Sequence, residues 1–318
     1  MKKGILSLGE VLIDFIPLDE TNTTYQKSPG GAPANVAVGV SRLGLPSTFI
    51  GKVGDDVLGR FLKETLESYG VKTEQLTLTK DVRTGVVFVT NAKDGERSFD
   101  FYINPSADRF LQASEINESV FETNKVLHFG SISMISSPAK EATRFAVEKA
   151  REQGLIISYD PNLRLGLWDS EMEAKETIIS MLNKADMVKI SEEELEFITG
   201  EATIEAGVEK LKKYNIPLLL VTLGGKGSYV YTRTGSAHVP ALKVDAVDTT
   251  GAGDAFVSGM LYSLHEYEGH IETLKVQEAV KMAAFASVSG ALAASTKGAM
   301  TALPTLSEVK QLLKENVE

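Results

Sequence analysis

Leu218-Leu-Leu-Val-Thr222 is apolar at four successive positions, too short for a buried helix and too continuous for a strand with one wet face. It reads as a strand covered on both sides, the pattern of a parallel sheet between helices. The flanking sequence repeats the theme. Upstream lie the strand Met187–Ile190 with a helix over Glu192–Thr199, and the strand Leu155–Tyr159 with a helix over Met172–Lys184. Before them, Val126–Phe129 is a strand, and Ser137-Pro138 supplies the N-cap and N1 proline of a helix that ends at Gly154. Near the start of the chain, Ile5–Leu8 is a strand and Ala34–Leu43 a helix, with Ala37, Val40 and Leu43 at helical spacing before Gly44. Thr48–Val53 and Val57–Tyr69, closed by Gly70, form the next strand and helix. Ala255–Leu264, Val276–Ala294 and Leu306–Glu315 make the last third helical. This alternation predicts an α/β fold, a mostly parallel central sheet flanked by helices.

Two stretches break the rhythm. Val11–Tyr25 and Arg83–Tyr102 are β-like without intervening helices, and in the second Val87 and Val89 alternate with Val86 and Phe88 ahead of an Asp94-Gly95 turn signal. Paired, they would form a small sheet projecting as a lid. The predicted division is therefore 1–10, 32–80 and 111–318 for the main α/β domain, with 11–31 and 81–110 as the inserted β lid.

Composition removes several classes of function. The 318 residues are 43% hydrophobic, enough for a large core, and carry a formal charge of −10, which disfavours nucleic-acid binding. With no cysteine, disulfides, thiolate nucleophiles and zinc–thiolate sites are excluded. Among His128, His238, His265 and His270 no pair has metal-ligand spacing, and His265 and His270 read as solvated. The first residues lack a signal-peptide pattern and no segment is long enough to span a bilayer, so the expectation is a cytoplasmic protein with no membrane partner.

Chemistry concentrates in Asp248-Thr-Thr-Gly-Ala-Gly-Asp254, which opens a helix. Gly251 and Gly253 let the chain turn tightly and bring unpaired N–H groups to a helix start, where the dipole favours an anion. Asp254 stands beside them as a base for a hydroxyl, its ionised form expected to be favoured by those amides. That combination suits phosphoryl transfer, in which positioning and charge stabilisation dominate. The plainer reading is a capping aspartate after a glycine turn. A second run, Pro29-Gly-Gly-Ala-Pro-Ala-Asn35, also opens a helix: Gly30 and Gly31 permit close approach, and Asn35 offers a donor and an acceptor to a hydroxyl. Asp14 can accept bonds from paired hydroxyls, or be an ordinary surface carboxylate. There is no G-x-x-x-x-G-K-[ST]; Gly224-Gly-Lys-Gly227 resembles it only superficially, and Phe256 breaks a dinucleotide fingerprint counted from Gly251.

The two glycine motifs, in this order and separation, resemble the signatures of the ribokinase-like (PfkB) carbohydrate kinases, and the resemblance covers essentially the whole chain. Phe-Tyr-Ile-Asn-Pro-Ser-Ala-Asp108 and Tyr-Asp-Pro-Asn-Leu-Arg164 are similar to segments of fructokinases within that family. The resemblance implies ATP-dependent phosphorylation of a small sugar, fructose first. Asp254 would be the catalytic base and Gly251, Ala252 and Gly253 the anion hole. Asp14, Gly30, Gly31, Asn35, Tyr102 and Arg164 would hold the sugar; Arg164 is equally readable as half of a structural ion pair. Lys189, Thr222, Gly224 and Gly227 match positions near the nucleotide, and Glu194 one near Mg2+, reached through water. Asp248 and Thr250 match a loop that binds a monovalent cation such as K+ in some members. Some relatives also dimerise through the lid. Two departures stand out: Ser191 where the family commonly has Asn, and Ile103 where many relatives have a basic residue, which argues against a sugar acid. A kinase of 2-keto-3-deoxygluconate or another ketose is the alternative on the same scaffold. A non-catalytic nucleotide- and sugar-binding regulator is the alternative of another class, and it would lack the base or the anion hole that this sequence keeps.

Overall fold

The computed structural model describes residues 2–91 and 97–315. Its core is a nine-stranded sheet of β1 (Gly4–Leu8), β4 (Ser47–Gly54), β5 (Lys72–Thr79), β8 (Asn124–Phe129), β9 (Ile156–Tyr159), β10 (Met187–Ser191), β11 (Leu218–Thr222), β12 (Ser228–Thr232) and β13 (Gly235–Val239). The order is β13-β12-β11-β10-β9-β8-β1-β4-β5, parallel from β11 to β5, with an antiparallel hairpin, β12 and β13, on one edge. The helices are α1 (Ala32–Arg42), α2 (Val57–Ser68), α3 (Val120–Thr123), α4 (Ala139–Glu152), α5 (Glu171–Leu182), α6 (Glu192–Thr199), α7 (Ile204–Leu211), α8 (Ala252–Glu266), α9 (Val276–Ala294) and α10 (Leu306–Glu315). None among the described residues is long and apolar enough to cross a membrane.

Strand period two sorts the core into layers. Ile5, Val126, Met187, Leu218 and Leu220 pack with Val36 and Val40 of α1, Val257, Met260 and Leu261 of α8, and Ala283 and Ala286 of α9. Their neighbours Leu6, Leu127, Val188, Leu219 and Val221 face the other way, onto Ala146 of α4, Ile178 of α5, Leu195 of α6 and Val208 of α7. Both faces of Leu218–Val221 are buried, as the apolar run requires.

A second sheet, ordered β3-β2-β6-β7, is built from β2 (Leu12–Pro17), β3 (Tyr25–Gly30), β6 (Val86–Asn91) and β7 (Arg97–Phe101). Its central pair, β2 and β6, runs parallel, and the flanking pairs run antiparallel. Ile13 and Val86 join the core of the main sheet, where Phe49, Leu62 and Leu76 also pack. Phe15, Tyr25, Phe88 and Tyr102 form an aromatic group on it, with Phe15 stacked on Phe88 at 5.0 Å. The Asp94-Gly95 turn lies outside the described residues.

The structure corrects one start signal. Pro138 is the N-cap of α4 and Ala139 its first residue, because the Ser137 hydroxyl donates to the Glu141 carboxylate (2.7 Å) instead of accepting a backbone N–H. His265 is also less solvated than its polar neighbours suggest, with Nε2 3.1 Å from the Lys3 carbonyl oxygen.

Candidate active site

The connection out of β1 crosses one way to β4 and the later strands build the other way from β8, so the sheet changes direction at β1. Open α/β sheets hold ligands at the carboxyl edge of such a point. There the segments following β1 and β9, with Lys189 of β10, meet the N-termini of α1 and α8.

Both glycine motifs turn the chain sharply into a helix. Gly31 is the N-cap of α1 at φ +105°, and a Cβ there would lie 2.6 Å from the Glu10 carbonyl oxygen. Gly251 is the N-cap of α8 at φ +78°, a conformation that side chains rarely adopt. Ala252, Gly253 and Asp254 follow as the first turn of α8, where amides lack partners within the helix. Ala252 N–H donates to the Thr249 carbonyl at 3.2 Å, so in this conformation that amide is held within the loop.

The two helix starts are joined across the cleft. Asn35 Nδ2 donates to Asp254 Oδ2 at 2.7 Å, and both side chains are buried, 5% and 8% exposed. Asn35 Oδ1 is buried with no protein partner among the described residues. Burial pushes the Asp254 carboxyl up to about 6, against the Asn35 hydrogen bond; Asp160 raises it further, while Lys189 and Arg164 oppose. Sequence reasoning expected neighbouring amides to favour the ionised form. Desolvation prevails instead, because the Asp254 carboxyl is buried and its hydrogen bond comes from Asn35, not from a neighbouring amide.

Lys189 is the charge behind this carboxyl. It lies 8% exposed in β10, with Nζ 3.1 Å from Asp160 Oδ2, and a Cβ on Gly253 would sit 3.8 Å from the same Nζ. Burial acts against its charged form, but Asp160 and then Glu194 outweigh it and hold Lys189 above the usual lysine range. The sequence carried a signal for this pair, since a lysine inside Met-Val-Lys-Ile needs a buried carboxylate, although its spacing did not say which one.

Around Asp14, Gly30, Arg164 and Tyr102 more of the side chains are exposed. Asp14 on β2 is half-buried, its carboxyl pushed up to about 6 by burial and drawn down by Arg164. Gly30, at the end of β3, abuts Asp14 so closely that a Cβ there would clash with Oδ2. Arg164, exposed in the loop after β9, acts electrostatically on Asp14, Asp254 and Glu10. Tyr102 follows β7, 69% exposed, with its ring edge-on to Phe88 at 5.6 Å. Ile103 packs half-buried beneath the small sheet. Buried Glu10, Asp108 and Arg109 also surround this region and were not singled out by sequence reasoning.

On the other flank, Thr222 ends β11 and Gly224 and Gly227 shape the turn into β12; a Cβ on Gly227 would strike the Val239 carbonyl. Glu194 caps α6 with Ser191: Ser191 Oγ accepts the Glu194 N–H, and Glu194 Oε2 accepts the Ser191 N–H at 2.8 Å. Glu194 Oε1 takes the Leu163 N–H at 2.7 Å. Burial raises the Glu194 carboxyl, against the pull of Lys189. Each oxygen thus holds one amide, and among the described residues no cluster of three carboxylate or imidazole groups forms a metal cage. Asp248 accepts the N–H groups of Thr250 (3.1 Å) and Gly298 (3.1 Å), closing its loop against the turn after α9. Thr250 is exposed beside it.

A buried carboxyl, a glycine-framed helix start and a lysine in one cleft suit phosphoryl transfer. The chain matches the pfkB family of carbohydrate kinases over residues 2–306 and belongs to that family. Within it, the chain is similar to fructokinases. The probable fructokinase-4 of Arabidopsis thaliana is 45% identical over 322 residues, covering 99% of this chain and 98% of that protein. The structure of the Xylella fastidiosa fructokinase with bound ATP matches with a TM-score of 0.94 at 37% identity, over 100% of each chain. A double mutant of the Vibrio cholerae O395 fructokinase, with fructose, ADP and potassium ion bound, matches with a TM-score of 0.89 at 41% identity, over 98% of each chain.

Proposed function

We propose that this protein transfers the terminal phosphoryl group of ATP to fructose, giving fructose 6-phosphate. The observation that carries this reading is the Asp254 carboxyl: buried, pushed up to about 6, and standing in the first turn of α8, where amides lack partners within the helix. A base with that value is ionised at neutral pH yet basic enough to take a proton from a hydroxyl as it attacks. The first-turn amides and Lys189 would balance charge on the transferred group. Asn35 Oδ1 and Asp14 would accept the sugar's hydroxyls, and Thr222, Gly224 and Gly227 would border the nucleotide.

Magnesium, entering with ATP, would neutralise phosphate oxygens; Glu194 would hold it through water. Potassium is proposed for the Asp248–Thr250 loop, supported by the potassium in the Vibrio cholerae relative. The small sheet, within residues 11–31 and 81–110, serves as a lid whose closure keeps water from competing as acceptor. Exposed Leu18 (55%), Phe99 (57%) and Tyr102 (69%) support pairing of two lids in a dimer.

Half-buried, apolar Ile103 favours a neutral sugar over a sugar acid, whose carboxylate wants a fixed cation. ADP release measured in parallel with fructose, other ketoses and 2-keto-3-deoxygluconate decides the acceptor. The expected preference is fructose; a preference for the acid would overturn the assignment.

A further inference from the structure

We propose that Glu10 is a positioning residue of this site: its carboxyl fixes the start of α1 and, through Asn35, the placement of Asp254. The proposal rests on the kinase reading above. Gly31 occupies the N-cap of α1 and brings no side chain to the first amides of the helix. Glu10 fills that role from the β1–β2 connection. Its Oε1 accepts the Ala32 N–H at 3.1 Å, and its carbonyl oxygen lies 2.6 Å from where a Cβ of residue 31 would be. Three residues further along α1, Asn35 donates to Asp254. One carboxyl therefore helps set where the Asn35 amide stands.

The surroundings favour the neutral carboxyl. Glu10 is 3% exposed, and its Oε2 is buried with no protein partner among the described residues. The charged groups facing it are Asp108, in the segment after β7 with buried Arg109 beside it, and Arg164 in the loop after β9, which also faces Asp14 and Asp254. Burial dominates and Asp108 adds to it; the N–H groups of Glu10 itself and Ala32, and Arg164, act the other way. The net effect pushes the Glu10 carboxyl up to about 8. Ionisation would set two buried carboxylates against each other between the foot of the small sheet and the start of α1, loosening the support of the base.

The test is the pH profile of kcat/KM for wild type, Glu10→Gln and Asp108→Asn. The wild type should fall above about pH 8, roughly tenfold per pH unit beyond the midpoint, as a single ionisation requires. Glu10→Gln keeps the acceptor for Ala32 and cannot ionise, so its activity should persist to higher pH. Asp108→Asn removes the repulsive charge, so its alkaline fall should move to lower pH. A wild-type profile flat through the alkaline range, or an alkaline fall unchanged in Glu10→Gln, overturns the proposal. Melting temperatures give a readout without turnover. Because the folded value lies above that of an unfolded glutamate, wild type should lose stability relative to Glu10→Gln as pH rises from about 4.5 to about 8, then level off. Parallel melting curves would also overturn it. No turnover with any sugar in any variant refutes the kinase reading instead, and the melting curves still decide the protonation of Glu10.

Discussion

Replacing Lys189 by Met and, separately, Asp160 by Asn should shift the pH dependence of activity in opposite directions. The two side chains form a 3.1 Å pair with only 10% and 6% of their surfaces exposed, so solvent screening is small. Lys189→Met leaves Asp160 and Glu194 buried without their cation. Breaking one partner of a buried pair costs about 3–5 kcal/mol, or roughly 10²–10⁴ in the unfolding equilibrium. Lys189 also holds down the Asp254 carboxyl, whereas Asp160 raises it. The acid limb of kcat/KM, expected near 6 in the wild type, should therefore move up in Lys189→Met and down in Asp160→Asn. Asp160→Asn should cost less stability, because Glu194 still faces the ammonium. Steady-state profiles from pH 5 to 8, with urea unfolding at pH 7.5, read both effects. Shifts of the same sign, or a Lys189→Met protein as stable as wild type, would refute the electrostatic coupling of this pair to the base.

Substitutions at two further positions follow from the helix starts. Gly31→Ala must accept both φ +105° and a 2.6 Å approach to the Glu10 carbonyl. It should lose about 1–3 kcal/mol of stability in denaturant unfolding, together with turnover. Ser191→Ala removes the cap of α6 and should cost about 0.5–2 kcal/mol, whereas Ser191→Asn keeps a capping side chain and should be near neutral. Equal losses for the two would show that capping is not what Ser191 contributes.

Much of the architecture could be read from hydrophobic period. Leu218–Thr222, Glu192–Thr199, Val276–Ala294 and Leu306–Glu315 are found in the structure with the bounds expected. Strands β3, β5 and β13 were not legible as such because each is a sheet edge, where few side chains are buried and the alternation is faint. Both glycine runs were readable as helix starts, since only glycine turns the chain so tightly there. What the sequence could not supply was the depth of the cleft. The amides beside Asp254 were visible in the motif, and the burial that outweighs them was not. The same holds for Glu10, whose partners Ala32 and Asp108 stand 22 and 98 positions away along the chain.

The central claim is that Asp254 takes the proton from the attacking sugar hydroxyl. Turnover of Asp254→Asn, measured as ADP release with fructose near pH 7.5, tests it most directly. The variant removes a buried carboxyl whose raised value weighs against folding above the usual aspartate range, so it should melt no lower than wild type. Its kcat should nevertheless fall roughly 10²–10⁴-fold. A folded Asp254→Asn protein turning over fructose at close to the wild-type rate would contradict the assignment.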